Sequence, residues 1–161
     1  MILVVADTGP LCYLMLIDAI GILPRLYDRV VIPSAVLAEL THPKAPAVVR
    51  NWAAALPSWA EVKNAPHSEL DDLLDPGEAE AIILAGQLKA DSLLLDEIEA
   101  RREALRRGLP VAGTIGVLEQ AAERDFINLA EAFTRLAQTN FYISREVLRQ
   151  VLRRHTAKRN S

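Results

Sequence analysis

Two aspartates, Asp7 and Asp96, each follow directly on a short apolar run, Met1–Ala6 and Ser92–Leu95. Glu39, Glu78 and Glu80 stand within segments of helical pattern, and Glu99 lies one turn beyond Asp96. Carboxylates that gather without histidine or cysteine ligands suit a hard, oxygen-seeking cation such as Mg²⁺ or Mn²⁺ rather than zinc. The three histidines, His42, His67 and His155, are scattered with no ligand spacing. No Ser/His/Asp arrangement is visible, and Gly113 and Gly116 lie too close together for a phosphate-cradling loop; they suit tight helix–strand packing. Each acid also has a plainer role open to it. Asp7 can cap a helix, Asp96 can close a turn, Glu39 can be solvated, and Glu99 and Glu103 can pair with the arginines around them.

The elements that must position these acids can be read along the chain. Met1–Ala6 is a continuous apolar, β-branched run, the pattern of a strand buried on both faces. Asp7-Thr8-Gly9-Pro10 ends it, and Leu11–Asp18 and Ile20–Tyr27 read as two short helices. Arg29–Ile32 is predicted as a strand, followed by a helix Ala35–Leu40 with Ser34 as its cap. Ala45–Leu56 reads as helix and Trp59–Val62 as a short strand. Asp75-Pro76 introduces a helix Gly77–Lys89, Ser92–Leu95 is a strand, and Glu97–Arg107 is a helix closed by Gly108. Leu109–Ala112 is the last predicted strand, and Thr114–Glu123, Leu129–Leu136 and Ser144–Arg154 complete the chain as helices.

Alternating strands and helices of this length predict a three-layer α/β/α fold with a central parallel sheet. In such sheets ligands bind beyond the carboxyl ends of the strands, where Asp7 and Asp96 are expected. The helix carrying Glu78 and Glu80 is apolar nearly all round, so both acids should lie near packed surface, where an unpaired carboxylate is costly. Their position in the first turn lets the helix dipole favour ionisation. Periodicity does not choose between them, because they point to different sides.

The 161 residues suffice for one domain, and 51% apolar against 24% charged is an ordinary globular balance. The apolar runs are too short for a membrane span, which needs roughly 20 residues. The single cysteine, Cys12, fits a reducing, cytoplasmic setting. A net charge of −3 argues against a broadly basic nucleic-acid binder. The C-terminal segment is the exception, with Arg145, Arg149, Arg153, Arg154, Lys158 and Arg159 against one acid, Glu146. Such a block can meet phosphates or simply be a solvated face. Gln138–Asn140 and the residues after His155 look loose.

Five stretches occur in an order that resembles a PIN domain of the kind found in VapC toxins, and more narrowly a prokaryotic PIN-like subfamily of predicted nucleic-acid-binding proteins. They are Val5–Leu11, Ile32–Leu40, Asp75–Ile82, Leu94–Glu97 and Val111–Leu118, spanning about residues 2–125. The ordered set, more than any single piece, carries the resemblance. It implies a doubly wound PIN-like fold over residues 1–156, with 157–161 a loose basic tail. It also implies a site of four acids: Asp7, Glu39, one at the opening of the central helix, and Asp96. The third stands before a small apolar run in the family, which favours Glu80 over Glu78, with Glu78 and Glu99 as alternates. Thr8 takes the place of the family's hydroxyl residue.

The activity so implied is hydrolysis of RNA phosphodiester bonds by an Mg²⁺- or Mn²⁺-dependent endoribonuclease, acting as the toxin of a toxin–antitoxin pair. RNA would be the substrate, an antitoxin protein a partner, and a homodimer the assembly. Leu148, Val151 and Leu152, or the Leu11–Ile22 region, would supply contacts. The alternative is a non-catalytic protein that binds nucleic acid or a partner on a degenerate PIN scaffold. A phosphotransfer enzyme of the haloacid-dehalogenase type is disfavoured, because its second aspartate falls at Gly9.

Overall fold

The first apolar run becomes β1 (Leu3–Ala6), the central strand of the computed structural model, which describes residues 1–160. On either side of it stand β2 (Arg29–Pro33) and β4 (Ser92–Leu94), with β3 (Ala60–Lys63) and β5 (Val111–Ala112) at the edges. All four pairings are parallel, and the order is β3-β2-β1-β4-β5. This is the α/β/α architecture expected. The chain steps outward through β2 and β3, then returns to the other side of β1. The reversal falls between β1 and β4, the point at which such sheets open a crevice at their carboxyl edge.

The period of a strand sorts its side chains into two cores. Val4, Ala6, Val30, Ile32 and Leu94 face a larger layer made by α1 (Thr8–Leu16), α2 (Leu23–Leu26), α3 (Ser34–Leu40), α4 (Ala47–Ala54), α7 (Thr114–Glu123), α8 (Leu129–Leu136) and α9 (Arg145–Arg159). Leu3, Val5, Val31, Leu93 and Leu95 face a smaller one, covered by α5 (Pro76–Leu88) and α6 (Ile98–Arg106). β1 is buried on both faces, as its unbroken apolar run predicted.

Several local expectations are corrected. The helix placed at Leu11–Asp18 starts three residues earlier, at Thr8, and Pro10 lies in its first turn. Ile20–Tyr27 is not one helix but a 3₁₀ turn followed by the four residues of α2, with Pro24 at the start of α2. Ser34 does not cap α3: Pro33 holds the cap position, and the Ser34 hydroxyl donates elsewhere. The basic residues placed in a loose tail continue α9 to Arg159, because Arg154, Lys158 and Arg159 pair with Glu119, Glu123 and Asp125 on and just after α7. Ser161 lies outside the described residues. Leu148, Val151 and Leu152 pack onto the larger core, as does most of the Leu11–Ile22 region. Among the described residues no single helix is long and apolar enough to cross a membrane.

Candidate active site

Asp7 comes immediately after β1, and its amide donates to Leu94 O of the neighbouring strand at 3.0 Å. That bond fixes the residue between the two strands that diverge. It stands at the cap position of α1, yet its side chain makes no capping bond. The carboxyl group is buried, 7% exposed, and its Oδ1 has no hydrogen-bond partner. Burial pushes its pKa up to about 8, assisted by the negative charges of Asp75, Glu78 and Glu39 and opposed by the Thr8 amide. A buried carboxyl atom without a donor is unfavourable unless something else meets it.

Around it open the walls of one cleft. Asp7, Thr8, Gly9, Glu39, Asp75, Glu78, Asp96 and Glu97 line it, and Tyr13, Phe141 and Tyr142 close its side. Glu39 projects from the last turn of α3 and accepts from the Thr8 hydroxyl at 2.6 Å. Desolvation raises its pKa and the Thr8 bond pulls it back. The first turn of α5 approaches Glu39 so closely that a methyl group on Gly77 would sit 2.7 Å from Glu39 Oε1. Only glycine allows that approach, which also delivers the next residue, Glu78, to the cleft. Glu78 and Asp75 form a reciprocal capping box, in which the Glu78 amide donates to Asp75 and the Asp75 amide to Glu78. Burial raises the Glu78 pKa, with Asp75 adding to it.

Asp96 arrives from β4 and is clamped by the opening of α7. The Thr114 amide donates to Oδ1 at 2.7 Å and the Thr114 hydroxyl to Oδ2 at 2.6 Å. Desolvation raises its pKa, against which the Thr114 bonds and the nearby Arg101 charge act. A Cβ on Gly113 would lie 2.8 Å from both Asp96 Oδ1 and Arg101 Nη1, so glycine is required here as well. Thr114 is fully buried. Thr114→Val keeps its shape but removes the hydroxyl donor to a carboxylate, so urea unfolding should show a loss of about 1.5–3 kcal/mol. Unchanged stability would mean that the hydroxyl bond contributes nothing to holding Asp96.

The structure thus brings Asp7, Thr8, Glu39 and Asp96 together, and with them the alternate Glu78. It does not bring Glu80. That carboxylate accepts from the Ser34 hydroxyl at 2.7 Å and the Ala35 amide at 2.9 Å, so it caps α3 from outside and faces away from the cleft. The preference for Glu80 over Glu78 fails because two residues along a helix turn about 200° round it. Glu99 also lies elsewhere, beside Leu73 and Leu74 and paired with Arg102. Asp75, Glu97, Tyr13, Phe141 and Tyr142 were not foreseen. The Asp-x-x-Glu spacing of Asp75 and Glu78 was a usable sign, being that of a capping box. Cys12, behind the cleft, is pushed up to about 11 by burial and the Glu39 and Asp7 charges, so its thiol is protonated and no nucleophile.

Every donor in the cleft is oxygen, which suits a hard cation. The unpartnered Asp7 Oδ1 is the atom such an ion would satisfy. Glu39, Asp75, Glu78 and Asp96 are already tied to protein donors, and among the described residues no three acidic, histidine or cysteine side chains stand close enough to hold one ion between them. The donor chemistry fits a divalent cation, which Asp7 would meet at its unpartnered Oδ1.

The fold is thus a doubly wound parallel sheet with carboxylates gathered at its reversal point. The chain belongs to the PIN-domain family, whose model matches residues 3–157. PIN domains are generally nucleases and typically use divalent metal ions. No curated protein matches the sequence.

Proposed function

We propose that this protein is a metal-dependent ribonuclease that hydrolyses RNA phosphodiester bonds, with Asp7, Glu39, Glu78 and Asp96 as the residues that hold Mg²⁺ or Mn²⁺. The observation that carries the reading is the buried, unpartnered Asp7 carboxylate at the floor of an acid-lined cleft. A divalent ion held there would supply a water of lowered pKa and offset charge on the phosphate. The chain's own residues do the positioning. Thr8 holds Glu39 in place, and Thr114 holds Asp96 with two bonds that favour its charged form. Glu80 fixes α3, and through it Glu39, without entering the cleft.

The role of toxin in a toxin–antitoxin pair, an antitoxin protein as partner and a homodimer belong to the same reading and rest on the family resemblance, while a cytoplasmic setting rests on the single cysteine, Cys12. The test is a ribonuclease assay with Mg²⁺ or Mn²⁺. Wild type is expected to cleave, and Asp7→Asn and Asp96→Asn to lose at least about a hundredfold of that rate. Equal rates in all three would sink the catalytic assignment.

One observation favours the second reading, a binding protein that does not cleave: among the described residues no three acidic, histidine or cysteine side chains stand close enough to hold one ion. Calorimetric titration with Mg²⁺ and Mn²⁺ separates the two. Heat of binding supports the nuclease, and none supports the binder.

A further inference from the structure

The acid cleft does not end at its carboxylates. Asp96 and Phe141 are shared with a neighbouring cavity of about 490 Å³, which is walled by Arg101, Gly113, Gly116 and Ile143 among others. That volume lies within the range of pockets that take small organic ligands. Two acids of this cavity, Glu119 and Glu123, are neutralised by Arg154 and Lys158. Arg101 is different. Its Nη1 donates to Leu95 O at 2.9 Å, which fixes the guanidinium on the cavity wall beside Asp96, and it makes no other side-chain hydrogen bond among the described residues.

Tyr142 lines the acid cleft and is 97% exposed although aromatic. The loop that presents it is held at its base. Tyr13 and Phe141 meet edge to face with ring centroids 4.8 Å apart, and the Tyr13 hydroxyl donates to Asn140 Oδ1 at 3.0 Å. A pinned loop thus offers a free ring to solvent beside a cleft lined by six acids, Asp7, Glu39, Asp75, Glu78, Asp96 and Glu97. Those acids repel a polyanionic strand. Attraction must come from a neutral contact or from a flanking cation.

We infer that Tyr142 is a stacking platform for a nucleobase of the substrate strand, and that Arg101 contacts a phosphate of the same strand where it passes from the acid cleft into the second cavity. The inference rests on the reading of the cleft as a site that acts on RNA. Stacking on an aromatic ring tolerates any base and is the usual way in which proteins hold single strands without reading their sequence. Both residues act on positioning and leave the reacting atoms to the carboxylates.

The experiment is fluorescence anisotropy of a labelled single-stranded oligoribonucleotide with the full chain, in chelator and again in Ca²⁺. Tyr142→Ala should weaken binding by about tenfold, while Tyr142→Phe stays within about twofold of wild type. Arg101→Gln should weaken binding and lower its salt dependence by about one phosphate. Binding by Tyr142→Ala equal to wild type, or no binding by wild type in either condition, overturns the inference. The two readings separate cleanly. If the strand binds with this pattern but is not cut in Mg²⁺ or Mn²⁺, the subsite stands and the ribonuclease falls. If wild type cuts and Tyr142→Ala cuts with unchanged KM, the ribonuclease stands and the subsite falls.

Discussion

Asp7→Asn should make the metal-free protein more stable at pH 8 while removing its cleavage activity. The physical cause is the burial that pushes the Asp7 carboxyl up to about 8 from an ordinary value of 3.8. A raised acid pKa means that the folded state holds a proton which the unfolded chain has already released. The resulting contribution is fully present below about pH 4, and it is lost as pH rises toward 8. Each pKa unit corresponds to about 1.4 kcal/mol. Relaxation and water entry reduce the full difference, so a loss on the order of 2–4 kcal/mol across that window is expected. Melting curves of wild type should therefore fall between pH 4 and pH 8, and those of Asp7→Asn should fall less, the remaining slope coming from Glu78, Glu39 and Asp96, whose pKa values burial also raises. Mg²⁺ or Mn²⁺ should reverse the wild-type loss more at pH 8 than at pH 5, since ion and proton compete for one carboxylate. Parallel curves for the two proteins would remove Asp7 as the strained group.

The second large effect separates the two glutamates of α5. Glu80→Ala strips the acceptor from the Ser34 hydroxyl and the Ala35 amide at the start of α3. Both donors are half-buried, so losing their acceptor should shift urea unfolding by about 1 kcal/mol. Cleavage per folded molecule should fall only modestly, because Glu39 loses the support of α3 but keeps its place in the cleft. Glu78→Gln should do the reverse. Glutamine can still complete the capping box with Asp75 and relieves a buried carboxylate, so stability holds or rises while activity collapses. If Glu80→Ala instead abolished turnover in a folded protein, the cleft would have to be redrawn around it.

That pair also shows what the sequence could and could not express. Strand β1 and Asp7 were legible because an unbroken β-branched run has one physical meaning, a strand covered on both faces, and the acid closing it must sit at the sheet's edge. Asp96 was legible from the short apolar run Ser92–Leu95 that it ends. The central helix was not, because α5 is covered nearly all round and its pattern marks no face toward the cleft. What distinguishes Glu78 from Glu80 is long-range: a bond from Glu80 to α3, some 45 residues away in the chain. The same bond explains why Ser34 looked like a cap and is not one. Tyr13, Asn140 and Phe141 meet only in the folded chain, across more than a hundred residues, so no local spacing announces the rim. Asp75 was present in the sequence as a helix opener, but a capping residue gives no local sign that it also faces a cleft.

The ladder from α9 to α7 has a consequence of a different kind. Arg154, Lys158 and Arg159 hold the last helix by ion pairs at the surface, and Val151 is its one fully buried side chain among the described residues. The carboxylate floor, by contrast, is set by packing and by short bonds away from solvent. Dissolved salt screens the first kind of force over roughly 8 Å at physiological strength and hardly reaches the second. The rim is pinned separately, by Tyr13 against Phe141 and Asn140, so added salt should loosen the far end of α9 and leave both the entrance and the floor of the cleft as they were.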